Sequence, residues 1–187
     1  MVDAPKQPPE SAPLEKPFAA RAVVFTIGFL VAVLGVVPAL FYWAGEAPFS
    51  KLGFWEHSRA FWIGFRQLLG VSVFAIGFGA YLFCSAWLIA YGKGPHVEFD
   101  PPKVFVATGP YRWVRNPVVL TLLLTVLGEA IFLGSFGVLV LVLLGVPFAH
   151  YQVTRIEEPR LRERFGESYI DYCHRVSRWI PRRPADE

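Results

Sequence analysis

The chain has 187 residues, of which 54% are hydrophobic and 18% are charged, and its net charge is +3. This length allows one compact domain, while the charged fraction lies below the roughly 25% typical of globular proteins. Together with a mean hydropathy of +0.41, these values exclude an ordinary soluble domain and favour a membrane protein. The two cysteines lack paired or metal-ligand spacing, so we expect packing roles, and no disulfide framework or metal site.

The first half of the chain predicts a polar tail and two membrane-spanning helices. Residues 1–17 are rich in Pro, Ala, Lys and Glu, which is typical of a disordered segment. Residues 22–44 and 67–92 contain no charged residue, and each run is long enough to cross a bilayer. Between them, residues 54–65 are amphipathic and predict a segment lying at the membrane interface. Three glycines in the second run predict close helix packing: Gly70, Gly77 and Gly79.

The third apolar region, residues 118–154, is too long for one crossing and predicts a helical hairpin. Gly134 and Ser135 divide it into a short helix over 117–133 and a second helix over 136–154. Asn116 and Pro117 favour the start of the short helix, as its N-cap and first helical residue. Pro147 predicts a kink in the second helix.

The predicted fold class is therefore all-α, an integral membrane bundle of about four helices with a C-terminal cytosolic amphipathic helix. Residues 18–187 are predicted to form one domain. Most lysines and arginines fall on the side of the termini, so the positive-inside rule places both termini in the cytoplasm. In the tail, Gly166 is expected to end one helix and Ser168 to cap the next. The apolar face of that helix is Tyr169, Tyr172, Cys173, Val176 and Ile180.

Two places in the apolar half carry charges that need an explanation. Arg112 and Arg115 come directly before a helix start, whose free N–H groups make an anion site, although Asn-Pro alone has a purely structural explanation. Glu129 lies within the apolar hairpin, where an acid is costly. It either faces a cavity with a partner or reaches water near the hairpin tip.

A pair of acids, Glu157 and Glu158, follows the hairpin among several arginines. They form either a surface ion-pair network or a set of groups facing the loop of Arg112 and Arg115. The sequence contains no phosphate-binding glycine loop and no dinucleotide fingerprint, so nucleotide triphosphates are not expected. Nothing indicates nucleic-acid binding either.

These motifs together resemble a known family. Gly-Pro-Tyr-Arg-x-Val-Arg-Asn-Pro precedes the hairpin, and Glu-Glu-Pro-x-Leu-x-x-x-Phe-Gly-x-x-Tyr-x-x-Tyr and Val-Ser-Arg-Trp-Ile-Pro follow it. Over residues 92–181 the chain resembles the isoprenylcysteine carboxyl methyltransferases and the related phospholipid methyltransferases. The resemblance implies an S-adenosylmethionine pocket in the C-terminal half, residues 92–187, open to the cytosol, and a lipid-like substrate from the bilayer.

Carried over to this sequence, the resemblance implies eight cofactor-binding residues: Gly92, Gly94, Tyr111, Arg115, Asn116, Pro117, Glu157 and Glu158. Arg115 and the helix start would hold the cofactor carboxylate, and the two acids its amino group or ribose hydroxyls. Glu129 or Arg112 would act in catalysis by orienting the nucleophile. Val119 and Thr121 depart from the family pattern, which has Tyr and Gly there.

Two alternatives remain open from the sequence. One is an NADPH-dependent membrane reductase related to the sterol reductases, and the other is a non-catalytic accessory protein on the same fold. The acceptor is also open between a carboxylate, an amine and a thiol. The methyltransferase hypothesis depends on one spatial prediction, that the tail folds back and brings the paired acids to Arg115.

Overall fold

The computed structural model describes residues 16–49, 60–92 and 104–182, and these contain helices but no β-strand. Its α-helices are α1 (Lys16–Val31), α2 (Val37–Phe49), α3 (Ala60–Gly92), α4 (Pro117–Leu133), α5 (Phe136–Gln152), α6 (Glu158–Phe165) and α7 (Glu167–Arg175). A π-helical segment, Ala32–Val36, joins α1 to α2, and a second, Val153–Glu157, joins α5 to α6. The predicted all-α fold class is confirmed.

Close contact between α3 and α4 forms the centre of the bundle. A Cβ atom on Gly77 would lie 2.8 Å from the backbone nitrogen of Thr125, and Gly70 lies equally tightly against Phe132. These contacts confirm two of the three predicted packing glycines. Gly79 was wrongly included, because no neighbouring atom of the described residues lies within 4 Å of its added Cβ.

The hairpin of α4 and α5 follows the local signals of the sequence. Pro117 is the first residue of α4, and Gly134 ends the helix with a φ of 61°, a conformation that glycine adopts without strain. Ser135 caps α5 by accepting a hydrogen bond from the backbone of Val138 at 3.3 Å. The helix runs unbroken through Pro147 and passes into π-helix at Val153.

Apolar side chains cover the outside of the bundle, as expected in lipid. Leu68, Ile76 and Phe148 are each about two-thirds exposed. Three helical stretches are long and apolar enough to span a bilayer: Val24–Gly45, Gly64–Gly92 and Phe136–Phe165. With 17 residues, α4 is about 25 Å long, somewhat less than the ~30 Å hydrocarbon core. The structure is that of an integral membrane bundle, while the orientation of the termini stays a prediction.

Several predicted boundaries differ from the structure. Lys16 and Pro17, assigned to the polar tail, begin α1, and residues 1–15 lie outside the described part of the chain. Of the interfacial segment 54–65, residues 60–65 form the start of α3 and the remainder lies outside the described residues. Ser168 does not cap α7, because that helix already begins at Glu167.

Candidate functional site

The tail after α7 lies against the loop before α4 through backbone hydrogen bonds. The amide of Arg115 donates to the carbonyl of Ser177 at 2.9 Å. Five residues further along, the amide of Arg182 donates to the carbonyl of Trp113 at 3.0 Å. Two main-chain bonds, five residues apart on the tail, fix the register of this part of the tail against the loop.

Side chains strengthen the same contact. Tyr172 is buried, and its hydroxyl donates to the carbonyl of Tyr111 at 2.7 Å. The amide nitrogen of Asn116 donates to the carbonyl of Arg178 at 3.3 Å. Asn116 occupies the N-cap position of α4, but its side chain makes no capping bond. The predicted N-cap position is therefore confirmed, while the side-chain amide of Asn116 holds the tail.

Aromatic contacts fix α7 and the chain end to the rest of the bundle. The ring of Phe105 meets the edges of Tyr169 and Tyr172 at centroid distances of 5.8 and 5.1 Å. Beyond α7, the indole nitrogen of Trp179 donates to Nδ1 of His150 at 3.0 Å. Ile180, predicted to belong to the buried face, is exposed because α7 ends before it.

Glu158 lies at the centre of the contact between tail and loop, with its side chain only 3% exposed. Arg178 donates to both of its oxygens, from Nε at 2.6 Å and from Nη2 at 2.9 Å. Nη1 of Arg115 lies 3.1 Å from Oε1, and Arg162 is a looser partner at 3.7 Å. The prediction that the paired acids meet Arg115 is thus confirmed for Glu158.

The π-helical segment explains why Glu158 points inward and Glu157 does not. Ala149 and Val153 are buried four residues apart, as the α-helical period requires. The backbone hydrogen bond that follows spans five residues and not four, because the amide of Glu158 donates to the carbonyl of Val153. The inward position therefore passes to Glu158, and Glu157 is exposed.

The arginines around Glu158 border a polar cleft of about 370 Å³. It is lined by Arg115, Arg162, Ile170, Cys173, His174 and Arg178. Three guanidinium groups face a single carboxylate there, so the cluster has an excess of positive charge. Its hydrogen bond with Glu158 raises the pKa of Arg178, which keeps this guanidinium charged. The cleft has the charge of an anion-binding site.

Arg115 retains hydrogen-bonding capacity toward this cleft. Its Nη1 donates to the Sγ atom of Cys173 at 2.8 Å as well as meeting Glu158. Its Nε is buried and has no hydrogen-bond partner among the described residues. A guanidinium carries five N–H donors, so Arg115 can bind a further acceptor without releasing Glu158. Cys173, expected to have only a packing role, lies in this polar cluster.

A second group of polar atoms lies behind the loop, beside the end of α3. The hydroxyl of Tyr111 and the indole nitrogen of Trp87 are buried without a partner in the described part of the chain. Burial raises the pKa of Tyr111 well above its usual value, and the charges of Cys84 and Glu157 act in the same direction. Tyr111 is therefore a neutral phenol with an unused donor, and the charge of Glu157 acts on it.

Two predicted glycine positions have different outcomes. Gly92 is the last residue of α3, is buried, and its carbonyl accepts a hydrogen bond from the amide of Val104 at 3.0 Å. This bond brings the loop back to the helix end. Gly94 lies outside the described residues.

The two residues predicted to act in catalysis lie at opposite ends of α4. Arg112 is exposed, shortly before the start of the helix. Glu129 lies twelve residues after Pro117, about 18 Å along the axis at 1.5 Å per residue. There it lines an apolar groove with residues of the first helix, the continuous run of α1, Ala32–Val36 and α2. The structure does not bring Glu129 and Arg112 together.

Sequence reasoning missed the strongest partner of Glu158. Arg178 belongs to the closing Val-Ser-Arg-Trp-Ile-Pro motif, but the helical pattern assigned it only to a polar face. The sequence did offer a signal, because one motif carries a pair of acids and the closing motif carries a single arginine. Arg162 and His174 gave no such signal, since charged residues on an amphipathic helix are usually solvated.

A family model described as phospholipid methyltransferase matches residues 65–168. The match runs from α3 to the start of α7, and so it contains Arg115 and both acids. It includes α3, which the sequence motifs alone did not connect with the resemblance. Comparisons with curated proteins and with solved structures gave no match.

Proposed function

The chain belongs to the phospholipid methyltransferase family, whose model covers more than half of its length, and on this premise we propose that it transfers a methyl group from S-adenosylmethionine to a lipid-like acceptor. The observation that carries the proposal is the cluster of Arg115, Arg178 and Glu158 beside a polar cleft. It lies beyond the apolar part of α5, where a water-soluble cofactor and a bilayer-bound acceptor have access to one place.

The residues present fit a cofactor that carries a carboxylate, an amino group and ribose hydroxyls. Arg115 offers donors to the carboxylate, and Asn116 and Pro117 set the start of α4, where the helix dipole favours an anion. The buried Nε of Arg115 and the buried hydroxyl of Tyr111 need partners, since buried polar atoms are rarely left unpaired. Glu157 is the acid nearer to solvent and is assigned to the amino group or ribose hydroxyls.

Glu158 has a different part in this proposal from the one that the sequence suggested. Both of its oxygens are already engaged by Arg178, and one of them also by Arg115. It therefore belongs to the cofactor-binding cluster as the residue that orients the arginines. Gly92 takes part through its backbone, at the turn where the loop leaves α3.

The bound cofactor supplies an electrophilic methyl group on a sulfonium centre. The task of the chain is to hold the donor and the acceptor nucleophile in contact and in line, which accounts for much of the rate of such reactions. Arg115 and Arg178 hold the donor end, because Glu158 fixes both guanidinium groups. Arg112, exposed on the same loop, is assigned to the acceptor headgroup.

The two departures from the family pattern lie in the first turns of α4. The hydroxyl of Thr121 donates to the carbonyl of Pro117 at 2.8 Å, so it is used within the helix. Val119 is partly buried and adds no polar group. Neither residue removes a contact of the arginine cluster, and the cofactor contacts are assigned to Tyr111 and Arg115.

The test is a binding and transfer measurement on the purified full chain in detergent. Isothermal titration with S-adenosylmethionine should give saturable binding, and methyl-labelled cofactor should label a component of an added lipid extract. Replacing Arg115 by alanine should weaken binding at least tenfold, the size expected for one charged hydrogen bond. Arg155→Ala is the matched control, because Arg155 is an exposed arginine on the neighbouring π-helical segment.

Three outcomes would contradict the proposal. Saturable binding of NADPH without binding of S-adenosylmethionine would favour the reductase. Cofactor binding without transfer to any lipid would favour the accessory protein. Equal affinity in Arg115→Ala and Arg155→Ala would place the cofactor away from the cleft.

A further inference from the structure

An apolar groove opens at the end of the bundle opposite to the cleft. Its volume is about 400 Å³, and it lies between the first helix and the end of α4. The lining residues are Leu34, Gly35, Pro38, Ala39, Tyr42, Glu129, Phe132 and Leu133. One carboxylate therefore faces a surface that is otherwise almost entirely apolar, and none of the lining residues is basic.

The first helix is irregular where it borders the groove. The π-helical segment Ala32–Val36 is followed by Pro38, which has no N–H to donate to the carbonyl of Leu34. Leu34 thus lacks its usual i+4 donor at the wall of the groove. Gly35 leaves room, because a Cβ atom added there would have no neighbour within 4 Å. The wall therefore combines open apolar space with an irregular backbone.

The carboxylate of Glu129 supplies a hydrogen-bond acceptor at the same place. Its Oε2 atom is buried and has no hydrogen-bond partner in the described part of the chain. An unpaired buried acceptor is costly, and more so when it carries a charge. A ligand that donates N–H bonds, carries positive charge and has an apolar chain would satisfy both this carboxylate and the apolar lining.

We propose that this groove binds a bilayer amphiphile with a protonated amine, its nitrogen at Glu129 and its chain along Leu34 and Phe132. Glu129 lies about 18 Å from the start of α4, too far for a bound amine to receive a methyl group at the cleft. The site therefore goes beyond the proposed methyl transfer and is a separate lipid site at the other membrane face. It gives the buried acid a role that does not require Arg112.

The experiment compares two probes on the full chain in a non-ionic detergent. A long-chain primary alkylamine and the alkyl alcohol of equal chain length are titrated while thermal unfolding is followed. The alkylamine should stabilise the protein saturably, whereas the alcohol should not, since a ligand stabilises only the state that binds it. Glu129→Gln should weaken the affinity for the alkylamine at least tenfold.

Two further variants separate the carboxylate from the space around it. Gly35→Leu should fill the groove and abolish amine binding with Glu129 intact, and Gly28→Leu is its control because residue 28 also has open space around it. Glu167→Gln controls for the loss of one exposed acid. A cooperative thermal unfolding transition, measured without ligand, shows that each variant is folded.

Affinity for S-adenosylmethionine is measured in the same variants and should stay unchanged, so this inference and the proposed function can fail independently. Equal stabilisation by the alcohol, or unchanged amine binding in Glu129→Gln, would overturn the inference. Competition between the alkylamine and S-adenosylmethionine, or recovery of a methylated alkylamine, would overturn it as well, because either result would place the amine in the cleft.

Discussion

Replacing Glu158 by glutamine keeps the size of the side chain but removes the charge that Arg178 and Arg115 share. Removing one partner of a buried ion pair costs about 3–5 kcal/mol. The lower end applies here, because Arg178 is 29% exposed and the pair with Arg162, which is 54% exposed, contributes little. We therefore expect a loss of about 3 kcal/mol, or roughly 6–12 °C in Tm for a chain of this size.

The assay is thermal unfolding in detergent, with Glu163→Gln as the control for an exposed acid. A double-mutant cycle with Arg178→Ala measures the coupling between Glu158 and Arg178 directly. Once Glu158 is neutral, Arg178 has lost its main partner, so Arg178→Ala should cost less in that background than in the original chain. If Glu158→Gln unfolds within about 1 °C of the original chain, or if the two losses add fully, the ion-pair cluster does not hold the tail as argued.

Three further predictions concern two tyrosines near the cluster and one close helix contact elsewhere in the bundle. Tyr172→Phe removes the hydroxyl that bonds the Tyr111 carbonyl and should lower the free energy of unfolding by about 1 kcal/mol, measured as a Tm decrease. Tyr111→Phe should not lower stability at neutral pH, since that hydroxyl has no hydrogen-bond partner among the described residues, but it should weaken S-adenosylmethionine binding. Because the raised pKa keeps Tyr111 protonated in the folded state while an unfolded tyrosine ionises near pH 10, stability falls as the pH rises above about 10; Tyr111→Phe should make this decrease smaller in unfolding measured against pH. Gly137→Leu would push a side chain into the carbonyl of Phe41 and should abolish the folded fraction seen in size-exclusion chromatography, whereas Gly28→Leu should not.

The sequence predicted those parts of the fold that depend on short-range signals. The start of α4 at Pro117 and its end before Gly134 were both correct, because a proline at the first turn and a glycine at the end act locally. Arg115 and Glu158 were also paired in advance, since both belong to motifs that occur together in the resemblance. Their assignment to the cofactor stays a prediction.

What the sequence did not predict depends on contacts between distant segments. Asn116 looked like a helix cap, yet its amide reaches a carbonyl that lies 62 positions away in the chain. Gly79 resembled Gly77 in every local respect, and only the position of α4 distinguishes the two. The pairing of Arg178 with Glu158 likewise arises from the return of the tail, which no helical period describes.

The extra residue in the turn of helix before Glu158 affects how this chain is compared with its relatives. A homologue with a regular α-helix there would present its inward acid one position earlier, and an alignment without a gap would equate that acid with Glu157. Functional assignments transferred across such an alignment would then exchange an exposed carboxylate for a buried one. A one-residue gap placed within Val153–Glu157 keeps structurally equivalent acids in the same column.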